Sequence, residues 1–404
     1  MINKSWDKIT EEDIRRLVND AVPESHTLDY KEELPNESAK SELDFLFDVS
    51  AFANASGGDL IFGVKEKREE GKPTAIPEGY AKLKMRGTLD ETKRRLESLI
   101  RSGISPTLSP KINHFDGLPE GPVVVVRVPT SWSAPHMVTR YSKEDLKPQF
   151  YKRHNGGNHP MDIDEIRTAF TLSESRIEKL RRFRNERLTA ISTQADPNLV
   201  IDGIGARRIL HILPANLFDP TTNVDISKIE SRQWGPSPAF NHCRWRINHF
   251  NFDGYLIRDL HSQTQRPCAY TQIFRGGGIE AVSIIREEKY LDNLFELDTI
   301  RRVIDLLKIL RELDIPPTIF IMVSLLGVEG YPLTLPQNTS YQGPRKDIDR
   351  DLLALPECII DDFDLPVVRV LRPAFNTLYQ TAGMPRSFNY DEGGNWIGED
   401  IGFE

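Results

Sequence analysis

The stretch "FANASGGDLIFGV" at residues 52–64 constrains this chain more than any other. Upstream, "ESAKSELDFLFDVSAFANASGG" sets Leu43, Leu46, Phe47 and Ala51 on one helical stripe, and Gly57 and Gly58 end it, being the residues that most easily take the left-handed conformation. Downstream, "DLIFGV" is apolar without alternation, as in a strand covered on both faces. A helix that turns through two glycines into a buried strand belongs in an α/β layer.

The neighbouring segments extend that layer. Thr10, with an acid three places on and Ile14 and Leu17 at helical spacing, predicts a short N-terminal helix. In "ESHTLDYK" at 24–31, Leu28 and Tyr30 alternate as in a short strand. A charged loop should lead from residue 65 to the helix "DETKRRLESLIRSG". Then "TLSPKINHF", "PVVVVRVP" and "QFYKRHNGG" read as strands, and "DIDEIRTAF" as a helix starting at Asp162. A second helix is expected over 173–191, with Ser175 and Glu178 as a capping box.

At 404 residues the chain exceeds one hydrophobic core, and its composition changes past "STQADPN". The expected division is a mixed-sheet α/β domain over 1–172, a connecting helix over 173–192, and a second α/β domain over 193–404. In the last, "RRILHILP", "YLIRDL" and "TIFIMVSLLGV" are strand candidates, and "AYTQIFRGGGIEAVSII" is a hairpin turned by Gly276, Gly277 and Gly278. The helix "LDTIRRVIDLLKILREL" lies between the hairpin and the last strand.

Several functions are disfavoured. No phosphate loop ends in Gly-Lys-Ser or Gly-Lys-Thr, and "DGIGARR" and "RGGG" lack the context of a dinucleotide fingerprint. The acidic start resembles no secretory signal, and "TIFIMVSLLGV" is too short to cross a bilayer, so a cytoplasmic protein with no membrane partner is expected. Cys243, Cys268 and Cys358 are odd in number and widely spaced, which suggests neither a disulfide framework nor a zinc knuckle. The histidines include no pair at metal-ligand spacing on a helix, and His154 and His159, flanking "NGGN", read as loop-tip residues. The net charge of −8 argues against coating DNA through bulk positive charge. Residues 1–190 hold equal numbers of acids and bases, so the acidic excess lies beyond them and a locally basic groove stays open.

In their order and spacing, "ESHTLDYK", "VSAFANASGGDLIFGVKE", "IRSGISP", "VVVVRVPTSWSAPHMV" and "FYKRHNGG" resemble the Schlafen core domain, an Alba-like (AlbA_2) nucleic-acid-binding module, over roughly residues 20–172. The resemblance implies a metal-dependent endonuclease acting on structured RNA such as tRNA, with Mg²⁺ or Mn²⁺ as cofactor. It also implies a homodimer or higher oligomer to complete a clamp, with antiphage defence as a setting. The alternative it leaves is a non-catalytic DNA-binding regulator.

Carried over residue by residue, the metal and catalytic acids are Glu24, Asp29 and Glu66, with Lys31 beside them. Asp stands at 29 where the family usually has Glu, and Glu at 66 where it has Asp. Lys152 and Arg153 match the family's basic strand. Arg94 and Arg101 offer a basic helix face, although a solvated face is the simpler reading. Tyr30, Phe150 and Tyr151 are candidates for base stacking or for core. Strict alternation would put positions 24 and 29 on opposite faces of a strand, so a shared metal requires a bend between them. The acidic C-terminal domain is the candidate for sensing or regulation.

Overall fold

A computed structural model of the chain describes every residue except 1, 3, 5, 85–86, 130, 132, 141–148, 155–156, 195–200, 202–204, 219–223, 230–242, 262–263, 265, 286–288, 293, 337–338, 340 and 402–404. It divides into two compact units, Met1–Ser175 and Arg176–Glu404. Both are mixed α/β. The expected change at "STQADPN" falls partly outside the described residues.

In the first unit the helices are α1 (Glu11–Asn19), α2 (Ala39–Ala53) and α3 (Leu89–Gly103), followed by α4 (Ile163–Ser192). The strands are β1 (Leu28–Lys31), β2 (Gly58–Phe62), β3 (Val64–Glu69), β4 (Lys72–Tyr80), β5 (Ile104–Ser105), β6 (Lys111–Phe115), β7 (Val123–Val128), β8 (Met137–Val138), β9 (Gln149–His154) and β10 (Gly157–Pro160). One sheet runs β1-β2-β7-β6, a second β10-β9-β8-β5, and β3 pairs with β4 as a separate hairpin. β1 is parallel to β2, and the other pairings are antiparallel.

The uniform apolarity of β2 has the anticipated cause. Leu60 and Phe62, with Val124, Val126 and Val128 of β7, pack on α2 and α3, whereas Ile61, Val123 and Val125 face α1 through Ile14. The turn from α2 into β2 needs both glycines. Gly57 has φ +70°, and a Cβ on Gly58 would lie 2.2 Å from the Phe52 ring. Asn54 caps α2 and clamps the second sheet: its amide donates to the carbonyls of His136 (2.9 Å) and Tyr151 (2.8 Å), and its oxygen accepts from the His136 N–H (2.6 Å).

Two expectations need correction here. The segment after residue 64 is the hairpin β3–β4 rather than a loop, because Glu70 and Gly71, at φ +51° and +81°, turn the chain tightly. The helices expected from Asp162 and over 173–191 are one continuous helix, α4, so Ser175 is an interior residue and not an N-cap.

In the second unit β11 (Arg207–Pro214), β12 (Cys243–Phe250), β13 (Gly254–His261), β14 (Pro267–Phe274), β15 (Ile279–Ile284), β16 (Ile319–Leu326) and β17 (Leu352–Ala354) form one sheet, in the order β12-β13-β14-β15-β11-β16-β17. β18 (Cys358–Ile360) also pairs with β16. α5 (Phe295–Glu312) and α6 (Val367–Thr381) bury Ile300, Val303, Leu371 and Phe375 against Leu210, Ile279 and Val323. The other face packs Ile209, Leu256 and Val282 on Leu188 and Ile191, at the end of α4. Inside this unit Glu280 is wholly buried, paired with Arg187 (2.7 Å) and hydrogen-bonded to His211 (3.0 Å) and Tyr270 (2.8 Å). The cysteine expectation also changes: Cys268 is disulfide-bonded, while Cys358 is a free buried thiol. Among the described residues no helix is long and apolar enough to cross a membrane.

Candidate functional site

Asp29 and Lys31 lie on β1, the edge strand of the first sheet. Immediately before it the chain folds back: Ser25 and Leu28 exchange backbone hydrogen bonds (3.0 and 3.3 Å), and Glu24 lies outside the strand. This is the bend that a shared site for positions 24 and 29 requires. Glu24 is held from two sides: its N–H donates to the Ala75 carbonyl of β4 (2.7 Å), and its Oε1 accepts the Tyr30 N–H (2.8 Å). Edge-strand amides need partners, and a folded-back carboxylate supplies one.

Asp29 is buried. Its Oδ1 accepts from Arg153 Nη2 (2.8 Å), and its Oδ2 lies 2.8 Å from Lys31 Nζ. Lys31 also reaches Asp48 of α2 (3.2 Å). Asp48 in turn accepts from Asn158 Nδ2, and Asn158 Oδ1 accepts a long hydrogen bond from Arg153 (3.5 Å). Asp29, Lys31, Asp48, Asn158 and Arg153 therefore close a polar ring, and the Arg153 guanidinium stacks 4.6 Å from the centroid of the Phe52 ring. The hairpin β9–β10 places the last two members together, because Asn158 is paired directly with Arg153.

The charge balance of the ring sets its protonation. Burial alone would raise the Asp29 carboxyl, but Lys31 and Arg153 outweigh it and hold the carboxyl below its ordinary range. For Asp48 burial wins against the pull of Lys31, and its pKa is pushed up to about 6. Among the described residues Glu24 has no cation paired with it. Burial, then repulsion from Asp29, and a further contribution from Glu66 raise it to about 8. Lys31 is held charged by Asp48 and Asp29 against the effect of burial. Its side chain is 37% exposed, against 12%, 5% and 1% for Asp48, Asp29 and Arg153, so it is the most exposed of the ring's charged members.

Glu66, on β3, is half-buried and near enough to Glu24 to repel it. The oxygen donors of Glu24, Asp29 and Glu66 are of the hard type that Mg²⁺ and Mn²⁺ prefer. Their ligand atoms do not all lie within 4.8 Å of one another, and both Asp29 oxygens already hold cations. An ion at this place would draw on Glu24 and Glu66 and compete with Lys31 for Asp29.

The other sequence candidates are dispersed. Arg153 faces inward as a ring member and presents nothing to solvent. Lys152, one residue earlier, points to the opposite face of the hairpin, toward Glu165 (3.8 Å). Arg94 and Arg101 are exposed on α3 and belong to none of these contacts. Tyr30 and Tyr151 are buried core residues, Tyr151 stacking on Phe47 at 4.1 Å, and Phe150 packs edge-on against Phe170. Sequence reasoning missed Asp48 and Asn158. The available signal was a lone acid inside the apolar run "FLFDVSAFA", which can be buried only if something neutralises or hydrogen-bonds it.

Residues 24–162 match the family described as Schlafen, AlbA_2. Among solved structures, the N-terminal domain of an ATP-dependent DNA helicase RecG-related protein from Nitrosomonas europaea is similar at 24% identity and a TM-score of 0.26, covering 36% of this chain and 91% of that one. No curated protein matches the chain.

Proposed function

From the match of residues 24–162 to the Schlafen AlbA_2 family, we propose that the first unit binds nucleic acid and cuts its phosphodiester backbone with a divalent cation held near Glu24, Asp29 and Glu66. The observation that carries the proposal is the fold-back at Ser25–Leu28 that sets the Glu24 carboxyl beside Asp29 and Glu66. A carboxyl raised to about 8 beside two further acids marks a place where positive charge is wanted, and perturbed carboxyls of this kind gather at functional sites. Bound to such oxygens, Mg²⁺ or Mn²⁺ polarises a phosphoryl oxygen and lowers the pKa of a coordinated water. Glu24, its proton lost to solvent, and Glu66 would hold the cation, Lys31 at the solvent edge would meet the phosphate, and Arg153 fixes Asp29 through Oδ1.

Structured RNA such as tRNA is the proposed substrate, and a second copy of the chain the means of completing a clamp around it. Antiphage defence, with sensing or regulation by the second unit, extends the same proposal. A second reading, nucleic-acid binding without cleavage, is favoured by two observations: the ligand atoms of Glu24, Asp29 and Glu66 do not all lie within 4.8 Å of one another, and both Asp29 oxygens are already engaged by Arg153 and Lys31.

The test is incubation of the full chain with tRNA and Mn²⁺ beside Glu24→Gln and Asp29→Asn variants. Cleavage by the parent alone supports the nuclease. Equal cleavage by all three, or by none, overturns it, and a mobility shift without cleavage selects the second reading.

A further inference from the structure

The face of the β9–β10 hairpin opposite Arg153 carries a different set of donors. Gly157 pairs with His154, Asn158 with Arg153, and His159 with Lys152. Side chains alternate along each strand, so Arg153 and Asn158 share the face of the polar ring, while Lys152, His154 and His159 share the other. There the imidazoles of His154 and His159 stack with ring centroids 4.2 Å apart and planes at 27°.

Glu165, in the first turn of α4, faces them. Its Oε1 is 3.8 Å from His154 Nε2 and 3.7 Å from His159 Nε2, and the ligand atoms of all three residues lie within 4.8 Å of one another. The carboxylate is oriented by the helix start: Oε2 accepts the Asp162 N–H (3.1 Å), while Asp162 Oδ1 accepts from the N–H groups of Asp164 and Glu165 (2.9 and 2.8 Å). This reciprocal cap commits one oxygen to the backbone and leaves the other directed at the histidines. The backbone hydrogen bond, followed by Lys152 and His159, also holds Glu165 below its ordinary carboxylate range despite burial.

From this arrangement we infer that His154, His159 and Glu165 bind a divalent transition-metal ion such as Zn²⁺ or Co²⁺, at a site separate from the oxygen donors around Glu24. Imidazole nitrogen selects such ions over Mg²⁺ and Ca²⁺, and three protein ligands leave a coordination position open to solvent. Tetrahedral ligands at about 2.1 Å from an ion sit about 3.4 Å apart. The two His–Glu separations need to close by only a few tenths of an ångström, which rotation of an exposed His154 and a half-buried His159 supplies. Lys152 Nζ, 3.8 Å from the same Glu165 oxygen, is the cation an ion would displace. Because the ligands come from both hairpin strands and from α4, the ion would brace the hairpin whose other face holds Arg153.

The experiment uses the full, tag-free chain stripped with chelator. Zn²⁺ affinity is read by competition with a chromophoric chelator and Co²⁺ by its visible d–d absorption. A single ion per chain is expected, with the Co²⁺ band of a nitrogen-and-oxygen site. Affinity should fall at least ~10-fold in Glu165→Gln, should vanish in His154→Ala/His159→Ala, and should rise in Lys152→Met, where the competing cation is gone. Thermal melts in the absence of metal check that the variants fold. Glu24→Gln should leave the Co²⁺ band unchanged; a parent chain that shows this band yet cuts no RNA counts against the nuclease proposal alone, and loss of cleavage in Glu24→Gln with the band intact supports both. Failure to bind one equivalent, or equal binding by the double-alanine variant, overturns the inference.

Discussion

Replacing Arg153 by methionine tests the polar ring at its most buried point. Methionine keeps the unbranched stem of the side chain but removes the guanidinium, and with it the charge and the stacking on Phe52. The side chains of Arg153 and Asp29 are 1% and 5% exposed, so the substitution leaves a buried carboxylate with Lys31 as its remaining cation. Breaking a buried pair in this way costs about 3–5 kcal/mol. The surviving contact with partly exposed Lys31 places the expected loss near the lower end, about 3 kcal/mol.

The cost should depend on pH in a defined direction. In the parent, Asp29 sits below its ordinary range, so its stabilising contribution is present above the unfolded pKa and is lost as pH falls through the folded one. Without Arg153 the folded pKa rises, the carboxyl takes a proton more readily, and the penalty shrinks from pH 8 to pH 5. Adding Asp29→Asn to Arg153→Met removes the stranded charge, so the double variant should be more stable than the sum of the singles by about 1–3 kcal/mol. The assay is urea titration of the full chain followed by hydrogen exchange in peptides from β1 and β2, which reports on the unit containing the pair. A loss under about 1 kcal/mol that does not vary with pH, or strict additivity, would refute the reasoning.

Three further outcomes follow from the same structure. Because Glu24 is protonated up to about 8, Mn²⁺ affinity measured by paramagnetic resonance should rise about tenfold per pH unit up to that value and then level off, and Glu24→Gln should remove the slope. Gly58→Ala should destabilise the first unit by about 1–3 kcal/mol in thermal melts, since its Cβ would sit 2.2 Å from a buried ring that also supports Arg153. Glu296 of α5, hydrogen-bonded to Ser387 (2.8 Å) and Asn389 (3.2 Å), is pushed up to about 7 by burial. Its folded pKa lies above the unfolded one, so stability is lost as pH rises from about 4.5 to 7; Glu296→Gln should become relatively more stable across that window by about 3 kcal/mol, read by calorimetry.

Elements whose hydrophobic period was strong were legible in the sequence. α2, β2, β7, α5 and β16 follow from runs that are apolar or striped regardless of context. The hairpin β3–β4 was not, since its residues are mostly charged and exposed and only the turn at Glu70–Gly71 distinguishes it from a loop. α6 carries a proline inside its length, Pro373, which reads as a break although the helix continues through it. In the site, Asp29 and Lys31 were visible through the family pattern, and the bend after Glu24 through the parity argument. The roles of Asp48 and Asn158 were hidden because each depends on a partner more than 100 positions away or on another element altogether.

The charges of this site also constrain what it can bind. Asp29 and Asp48 are matched by Arg153 and Lys31, while Glu24, with half-buried Glu66 near it, is matched by a proton. A phosphate brought to Lys31 in that state would have to draw the ammonium away from two carboxylates, which restores the repulsion that the ring suppresses. A divalent ion that replaces the proton on Glu24 adds a net positive charge at the same place and relieves the demand on Lys31. Metal and phosphate should therefore bind with positive coupling, and by reciprocity each should raise the affinity of the other by the same factor. A site that only grips nucleic acid has no such requirement, so the presence or absence of this coupling separates the two readings even where no cleavage is seen.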